Sequence, residues 1–192
     1  MRLDVLNRGY TPSTKLLFAL IRLMSRHPVP DAAKLVFYRP DFYGSRAKEF
    51  THEAMRGPSA WSVGDRELMA AYVSRTNDSA FCIGAHTATA TQALDGPKVA
   101  AVLADLETAP VGDGLRATLR MLGKLTREGT VSAQDMRHVL SAGVTRQQVE
   151  DALAVCAAFN TTNRLADAFG FDVLSPEDFE AGAKYLLKRG YR

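Results

Sequence analysis

The residues whose types and spacing could do chemistry are gathered in one stretch, RELMAAYVSRTNDSAFCIGAH, from Arg66 to His86. Ser79, Cys82 and His86 stand at i, i+3 and i+7, so on a helix they share one face. His86 follows Cys82 by one turn, and its imidazole can approach the sulfur. Cys82 also falls in the first turn of a helix that begins after the NDS break. There the partial positive charge of the helix N-terminus favours a thiolate, the nucleophilic form of cysteine. The spacing gives Cys82 a helix N-terminus, a hydroxyl donor at Ser79 and an imidazole at His86, and the expectation is a depressed thiol pKa. A plainer reading stands beside this one, and ahead of it on SxxCxxxH alone. A free cysteine in an alanine-rich helix is commonly a small buried hydrophobe, and a histidine beside it a core or surface residue.

Glu67 adds a carboxylate in the first turn of the preceding helix, where an acid is also good capping chemistry. The two helices join through the tight NDS turn and are expected to pack antiparallel. Glu67 then lies at the end of its helix far from the turn, whereas Cys82 lies near it. Antiparallel geometry alone separates the two by more than a helical turn and does not bring the carboxylate to the sulfur.

The elements that must position these residues read as helices almost throughout. Alanine and leucine are abundant and alternating β-branched runs are absent, which points to about nine or ten helices in an all-α, single-domain chain spanning 1–192. Helices are expected over Thr11–Arg26, from an Asp31 cap to just before Pro40, from Phe42 to Met55, and over Val63–Asn77 behind a Ser62/Asp65 capping box. Further helices are expected over Ala80–Leu94 with Ser79 as cap, Lys98–Leu106, Leu115–Arg127, Ser132–Ala142 and Thr145–Phe169. SPED at Ser175 opens the last, with serine as cap, proline in the first turn and acids facing the helix dipole. ETAPVGDG is the best loop candidate. Trp61 can staple the start of the Val63 helix. Glu67–Asn77 and Glu150–Asn160 echo one another faintly. Asn160, Asn163, Arg164 and Asp167 form a polar stripe that is either a subunit interface or pocket edge, or a solvated or intramolecular hydrogen-bonded face with an Arg–Asp pair.

Composition excludes several function classes. Of the 192 residues, 46% are hydrophobic and 23% charged, which is ordinary for a soluble globular protein. The net charge of +3 is scattered, with no dense basic run, so nucleic acid is not an expected partner. The apolar patch Leu16–Leu23 is interrupted by Arg22 and is followed by no small-residue cleavage site, and no run reaches a membrane span; a cytoplasmic protein with no membrane partner is expected. Two cysteines make no disulfide framework. The four histidines, His27, His52, His86 and His138, have no partner cysteines at zinc spacing, so neither metal nor other cofactor is expected. His52 and His138 sit among charges and read as surface residues.

Glu67, Ser79, Cys82 and His86, set in the stretch quoted above, resemble the signature of the alkylhydroperoxidase D / carboxymuconolactone decarboxylase family. The peroxidase branch of that family carries a glutamate, a CxxC pair and a histidine at these spacings. FNTTNRLADAFGF, from Phe159 to Phe171, is similar to the tail of the peroxidase-related members, and LVFYRPDFYGSRAKEF, from Leu35 to Phe50, to their segment before the motif. The resemblance covers roughly residues 30 to 175. It implies an all-helical bundle that assembles as a trimer or a multiple of one. It also implies a thiol peroxidase in which the second cysteine attacks, the first resolves, and glutamate and histidine relay protons. On that resemblance Cys82 matches the attacking cysteine, His86 the histidine and Glu67 the glutamate. Ser79 stands where the resolving cysteine should be, and Phe81 where one branch carries another histidine. Serine forms no disulfide, and Cys156 lies mid-helix in a setting typical of a structural cysteine. A sulfenic acid on Cys82 would therefore need an external thiol as reductant. The expectation is a peroxidase acting on a small hydroperoxide, with Ser79 as a donor steadying the thiolate. The decarboxylase branch uses no CxxC pair, so a lyase or isomerase using His86 and Glu67 on a small organic acid is the second reading, and a helical oligomer without catalysis the third.

Overall fold

Punctuation in the sequence sets the helix ends. The computed structural model describes residues 8–191; residues 1–7 and 192, which include the start of the N-terminal stretch read for a leader and the outermost positions of the 1–192 domain expectation, lie outside the described residues. Ten α-helices lie within those described, and no strand is found among them. They are α1 (Pro12–Ser25), α2 (Asp31–Tyr38), α3 (Ser45–Arg56), α4 (Val63–Thr76), α5 (Ala80–Ala93), α6 (Gly96–Ala104), α7 (Asp113–Glu128), α8 (Ala133–Ser141), α9 (Arg146–Phe169) and α10 (Pro176–Arg189). A single π-turn, Pro40–Gly44, joins α2 to α3.

Local chemistry accounts for most starts. Ser62 with Asp65, Ser132 with Asp135 and Thr145 with Gln148 each form a reciprocal capping box, and Thr11 and Ser175 accept a first-turn N–H. Two expected caps make no capping hydrogen bond. Asp31 is the first helical residue; its carboxylate binds Lys34 Nζ at 2.7 Å and accepts the Asp172 N–H at 3.0 Å, so it ties α2 to the segment before α10. Ser79 holds the cap position of α5 but makes no capping bond, because its hydroxyl is used elsewhere. ETAPVGDG is the loop between α6 and α7, and the Arg116 guanidinium fastens it by donating to the carbonyls of Leu106, Glu107, Ala109 and Val111.

The hairpin of α4 and α5 is the centre of the bundle. α10 and α6 pack on α5, while α9 and α7 pack on α4, and α3 lies against α9. α4 buries Arg66, Glu67 and Ser74 together with Leu68, Met69, Ala70, Ala71 and Val73, as a helix does when neighbours surround it. The larger core joins α4 to α7 and α9 through Leu119, Leu122, Val155 and Phe159; a smaller cluster joins Leu35, Phe81, Cys82, Ala166 and Phe171. Trp61 is buried, and its indole N–H donates to the Gln148 carbonyl at 2.8 Å, so the expected staple ties the start of α4 to the start of α9. α1 differs from the rest in burying none of its residues. No described helix is long and apolar enough to cross a membrane.

α10 approaches α5 at Gly84, where a Cβ would stand 2.4 Å from Cε2 of Phe179. An aromatic ring held between two helices cannot yield cheaply. Gly84→Ala is expected to lose about 1 kcal/mol or more, because overpacking of about 1–3 kcal/mol outweighs the helix propensity that alanine gains. Urea unfolding checks this; a midpoint that rises would mean that α10 does not close on Gly84.

A candidate active site around Glu67, His86 and Cys82

Antiparallel packing of α4 on α5 sets Glu67 opposite His86, not opposite Cys82. The Glu67 Oε2 atom lies 2.8 Å from His86 Nδ1, with the carboxylate wholly buried and His86 only 5% exposed. A carboxylate only accepts, so Nδ1 carries the proton of this bond, and in the neutral ring Nε2 keeps the lone pair. The separation expected between Glu67 and Cys82 is resolved by an intermediary: His86 stands one turn beyond Cys82 on the same helix and reaches back to the acid.

Two further groups meet the carboxylate. Arg56, the last residue of α3, donates from Nη2 to Glu67 Oε1 at 2.7 Å and to the Leu186 carbonyl at 3.1 Å, and from Nη1 to its neighbour Met55 at 2.9 Å. Tyr191, just past α10, donates its hydroxyl to Glu67 at 3.0 Å from Oε1 and 3.2 Å from Oε2. The Arg56 guanidinium lies 5.1 Å from the centroid of the Tyr191 ring, and the His86 imidazole is 6.4 Å away and tilted by only 19°. Phe159 closes the other side of His86 at 4.2 Å. Burial pushes the Glu67 carboxyl upward. The His86 hydrogen bond, the His86 and Arg56 charges and the Arg56 hydrogen bond outweigh it and hold the group below its ordinary value. Burial and then the Glu67 charge hold the Tyr191 phenol well above 10, so it remains a donor.

Sequence reasoning missed Tyr191 and Arg56. Arg56 ends a helix before a Gly-Pro stop, which gives it no local distinction. Tyr191 lies beyond the segment of resemblance, and its only signal is an aromatic directly behind a helix-ending glycine. Gly190 has φ +68°, and a Cβ there would stand 2.7 Å from the His52 ring, whose Nδ1 accepts the Tyr191 N–H at 3.2 Å. His52, expected at the surface, is half-buried and supports Tyr191; His138 is exposed, as expected.

Cys82 departs from expectation. It is 1% exposed, and burial pushes its thiol up to about 12. The neighbouring Ser79 hydroxyl acts the other way, and the Asp167 charge adds to the rise. The helix N-terminus does not overcome the loss of water. Ser79 is itself fully buried and donates to Asp167 Oδ1 at 2.8 Å, so its one proton is committed to the carboxylate. Cys156 is buried beside Thr126 and Asn160, its thiol also raised by burial, as a structural cysteine would be.

The polar stripe of α9 is the seam that seats the hairpin. Ser74 donates to Asn163 at 3.1 Å, Asn77 to Asn160 at 3.1 Å, and Ser79 to Asp167. The stripe forms intramolecular hydrogen bonds, but the expected Arg–Asp pair is replaced by a bond from Arg164 to the Asn160 carbonyl. The faint echo also acquires a contact, since its Asn77 and Asn160 touch. Two shallow surface grooves lie away from this cluster. One of about 330 Å³ is lined by Tyr43, Arg46, Phe50 and Thr162, and one of about 250 Å³ by Glu53, Arg66, Gln147 and Asp151. Among the described residues no group of three or more His, Cys, Asp or Glu is placed to hold a metal ion.

No family model and no curated protein matches this chain. Solved structures do. An uncharacterized peroxidase-related protein from Silicibacter sp. TM1040 aligns over 95% of its length with 94% of this chain, at a TM-score of 0.79 and 23% identity. A second, from Ralstonia eutropha JMP134 and described as an alkylhydroperoxidase AhpD core, aligns over 96% of its length with 95% of this chain, at a TM-score of 0.75 and 24% identity. The chain therefore has the all-α fold of these proteins. The match extends beyond the 30–175 segment of sequence resemblance.

The Glu67 carboxyl, depressed in the folded state, contributes stability that is present above its unfolded value of about 4.3 and lost as pH falls through the lower folded value. Glu67→Gln is expected to cost about 3–5 kcal/mol at neutral pH by stranding Arg56 without its counter-charge, and to flatten the loss of stability on the acid side. Urea unfolding at neutral pH and at successively lower pH reads both effects; an unchanged acid slope would remove Glu67 as its source.

Proposed function

We propose that this chain is an alkylhydroperoxidase D-like, thiol-dependent peroxidase with Cys82 as the attacking thiolate, Glu67 and His86 as its proton-transfer pair, and an external thiol as reductant. The observation that carries the reading is the buried 2.8 Å contact between Glu67 and His86 one turn from Cys82, on the fold of peroxidase-related proteins. His86 Nε2 takes the Cys82 proton. The thiolate attacks the terminal peroxide oxygen, the S–O bond forms as the O–O bond breaks, and the departing alkoxide takes the proton back from His86. Glu67 stabilises the transient imidazolium. The Cys82 sulfenic acid is then reduced by two equivalents of external thiol, giving their disulfide, water and the regenerated Cys82 thiol. Ser79 steadies the thiolate only by turning its hydroxyl from Asp167, to which it donates in this structure, towards the sulfur. The same reading carries self-association as a trimer or a multiple of it, with sedimentation as the check and a monomer at micromolar concentration as the contrary result.

A second reading is favoured by the raised Cys82 thiol: His86 and Glu67 acting as acid and base on a small organic acid, without the cysteine. Peroxide consumption with a monothiol reductant separates the two. Cys82→Ser is expected to abolish it and His86→Asn to lower it by about 10²–10⁴; full activity in Cys82→Ser would move the second reading ahead.

Ser79→Cys tests the missing resolver. The variant gives up the Asp167 hydrogen bond, at about 1–3 kcal/mol, and is expected to form a reversible disulfide with Cys82 and to turn over faster with a dithiol. Thiol counting before and after peroxide, beside the rate, is the measurement. A disulfide with no gain in rate would count against peroxidase chemistry.

A further inference from the structure

α1 takes no part in the chemistry around Cys82. Leu16, Leu20, Leu23 and Met24 are between 46% and 84% exposed, and at i, i+4, i+7 and i+8 they form one apolar stripe. Phe18, on the opposite side of the helix, rests on Phe37 at 5.4 Å. The Tyr10 hydroxyl donates to the Lys34 carbonyl at 3.2 Å, and His27 Nδ1 pairs with Asp178 at 2.6 Å, so the two ends are tied and the stripe faces outward. A surface of matching shape lies between α3 and α9. The two shallow grooves share Phe50, itself 48% exposed, and so form one trough. Ala47 and Ala54 from α3 and Ala154 and Ala158 from α9 line it, small side chains that let another helix come close. α3 has 12 residues and α1 has 14, about 18 and 21 Å at the helical rise, so trough and helix agree in length.

Charge decides what the stripe meets. Between Gly9 and Pro30 the chain carries Lys15, Arg22 and Arg26 and no aspartate or glutamate, so two α1 helices laid together would set like charges against each other. The trough is acidic at one end, where Glu53, Glu150 and Asp151 line it and the arginine beside them, Arg66, is buried. Glu53 and Glu150 make no ion pair among the described residues, and neither do Arg22 and Arg26. We propose that α1 of one copy docks in the α3–α9 trough of the next, with its stripe on the alanines and Arg22 and Arg26 against Glu53 and Glu150. The two surfaces belong to different parts of one chain, so the joint is heterologous: each copy gives a helix and receives one, and a ring closes the set. The joint rests on the self-association proposed above and not on the peroxidase chemistry. It leaves the folding of each chain alone, since α1 buries none of its residues within it.

Sedimentation velocity at micromolar concentration tests the joint with two complementary variants. Leu20→Glu/Leu23→Glu spoils the helix and keeps the trough, whereas Phe50→Glu spoils the trough and keeps the helix. The wild type is expected to be an oligomer and each variant alone a monomer with unchanged helical circular dichroism. An equal mixture of the two is expected to give a dimer, because one sound helix then meets one sound trough. A mixture that stays monomeric overturns the heterologous joint, and a dimer of Phe50→Glu alone overturns it in favour of α1 pairing with α1. An oligomer that persists in both variants overturns the docking and leaves self-association standing. A monomeric wild type overturns both, and its sedimentation with phosphatidylglycerol vesicles would assign the stripe to a lipid surface instead. Arg22→Glu/Arg26→Glu is expected to weaken assembly by about tenfold or more, and Glu53→Arg/Glu150→Arg in the same chain to restore it; no restoration overturns the charge pairing. Should a stripe or trough variant lose its helical circular dichroism, this surface charge series decides the docking. Peroxide consumption is measured beside it: an oligomer that consumes none sinks the peroxidase reading and leaves the joint.

Discussion

A single negative charge with no water organises this molecule. The Glu67 carboxylate is buried at the meeting point of α3, α4, α5 and the turn after α10, and a charge in that position is tolerable only if every lone pair is answered. Arg56, His86 and Tyr191 answer it, each from a different element. The arrangement fixes the axial register of α4 against α5, because a shift by one residue would turn either Glu67 or His86 away from its partner. It also fixes where α10 must stop, since Tyr191 reaches the acid only if the chain turns at Gly190. The chemistry attributed to this centre and the packing of the bundle are therefore two aspects of one constraint.

The local part of this structure was legible in the sequence. Capping boxes at Ser62, Ser132 and Thr145 involve residues three apart, and the helices they begin start within a residue of expectation. Legibility ends where a side chain chooses between a near partner and a distant one. Ser79 is a good cap by type, yet its hydroxyl goes to Asp167, 88 positions away. Asp31 similarly answers an N–H 141 positions on. Cys82 shows the same limit for electrostatics: the helix N-terminus is visible in the sequence, whereas most of the shell that dries the thiol, Leu35, Ala166 and Phe171 beside the adjacent Phe81, comes from two distant segments. The partners of Glu67 divide in the same way. His86 belonged to the same short motif and was found, while Tyr191, 124 positions away, carried no local mark.

The α9 seam joins a polar helix face, buried at Asn163 and open to solvent at Asp167, to the hairpin. Asn160, Asn163 and Asp167 recur at helical spacing and meet Asn77, Ser74 and Ser79 at the end of the hairpin. Amide-to-amide and hydroxyl-to-carboxylate bonds have stricter distance and angle requirements than apolar contacts. They hold the tight turn, with Asp78 in the left-handed region at φ 56°, in one position against α9. That turn leads directly into the helix start bearing Cys82, so the placement of the thiol is set by the hydrogen bonds of Asn77 and Ser79 just before it as much as by its own packing.

α1 has a different standing. It is capped by Thr11 and joined to the body by edge-to-face contacts of Phe18 with Tyr10 and Phe37, but Leu16, Leu20, Leu23 and Met24 all remain well exposed. A helix that hides nothing shares little of the cooperativity of the bundle and can open on its own. Its sequence is then free to vary without penalty to folding, while its oily surface weighs on how the folded protein behaves in concentrated solution. Replacements of those leucines by charged residues belong to colloidal behaviour, a property separable from the melting temperature.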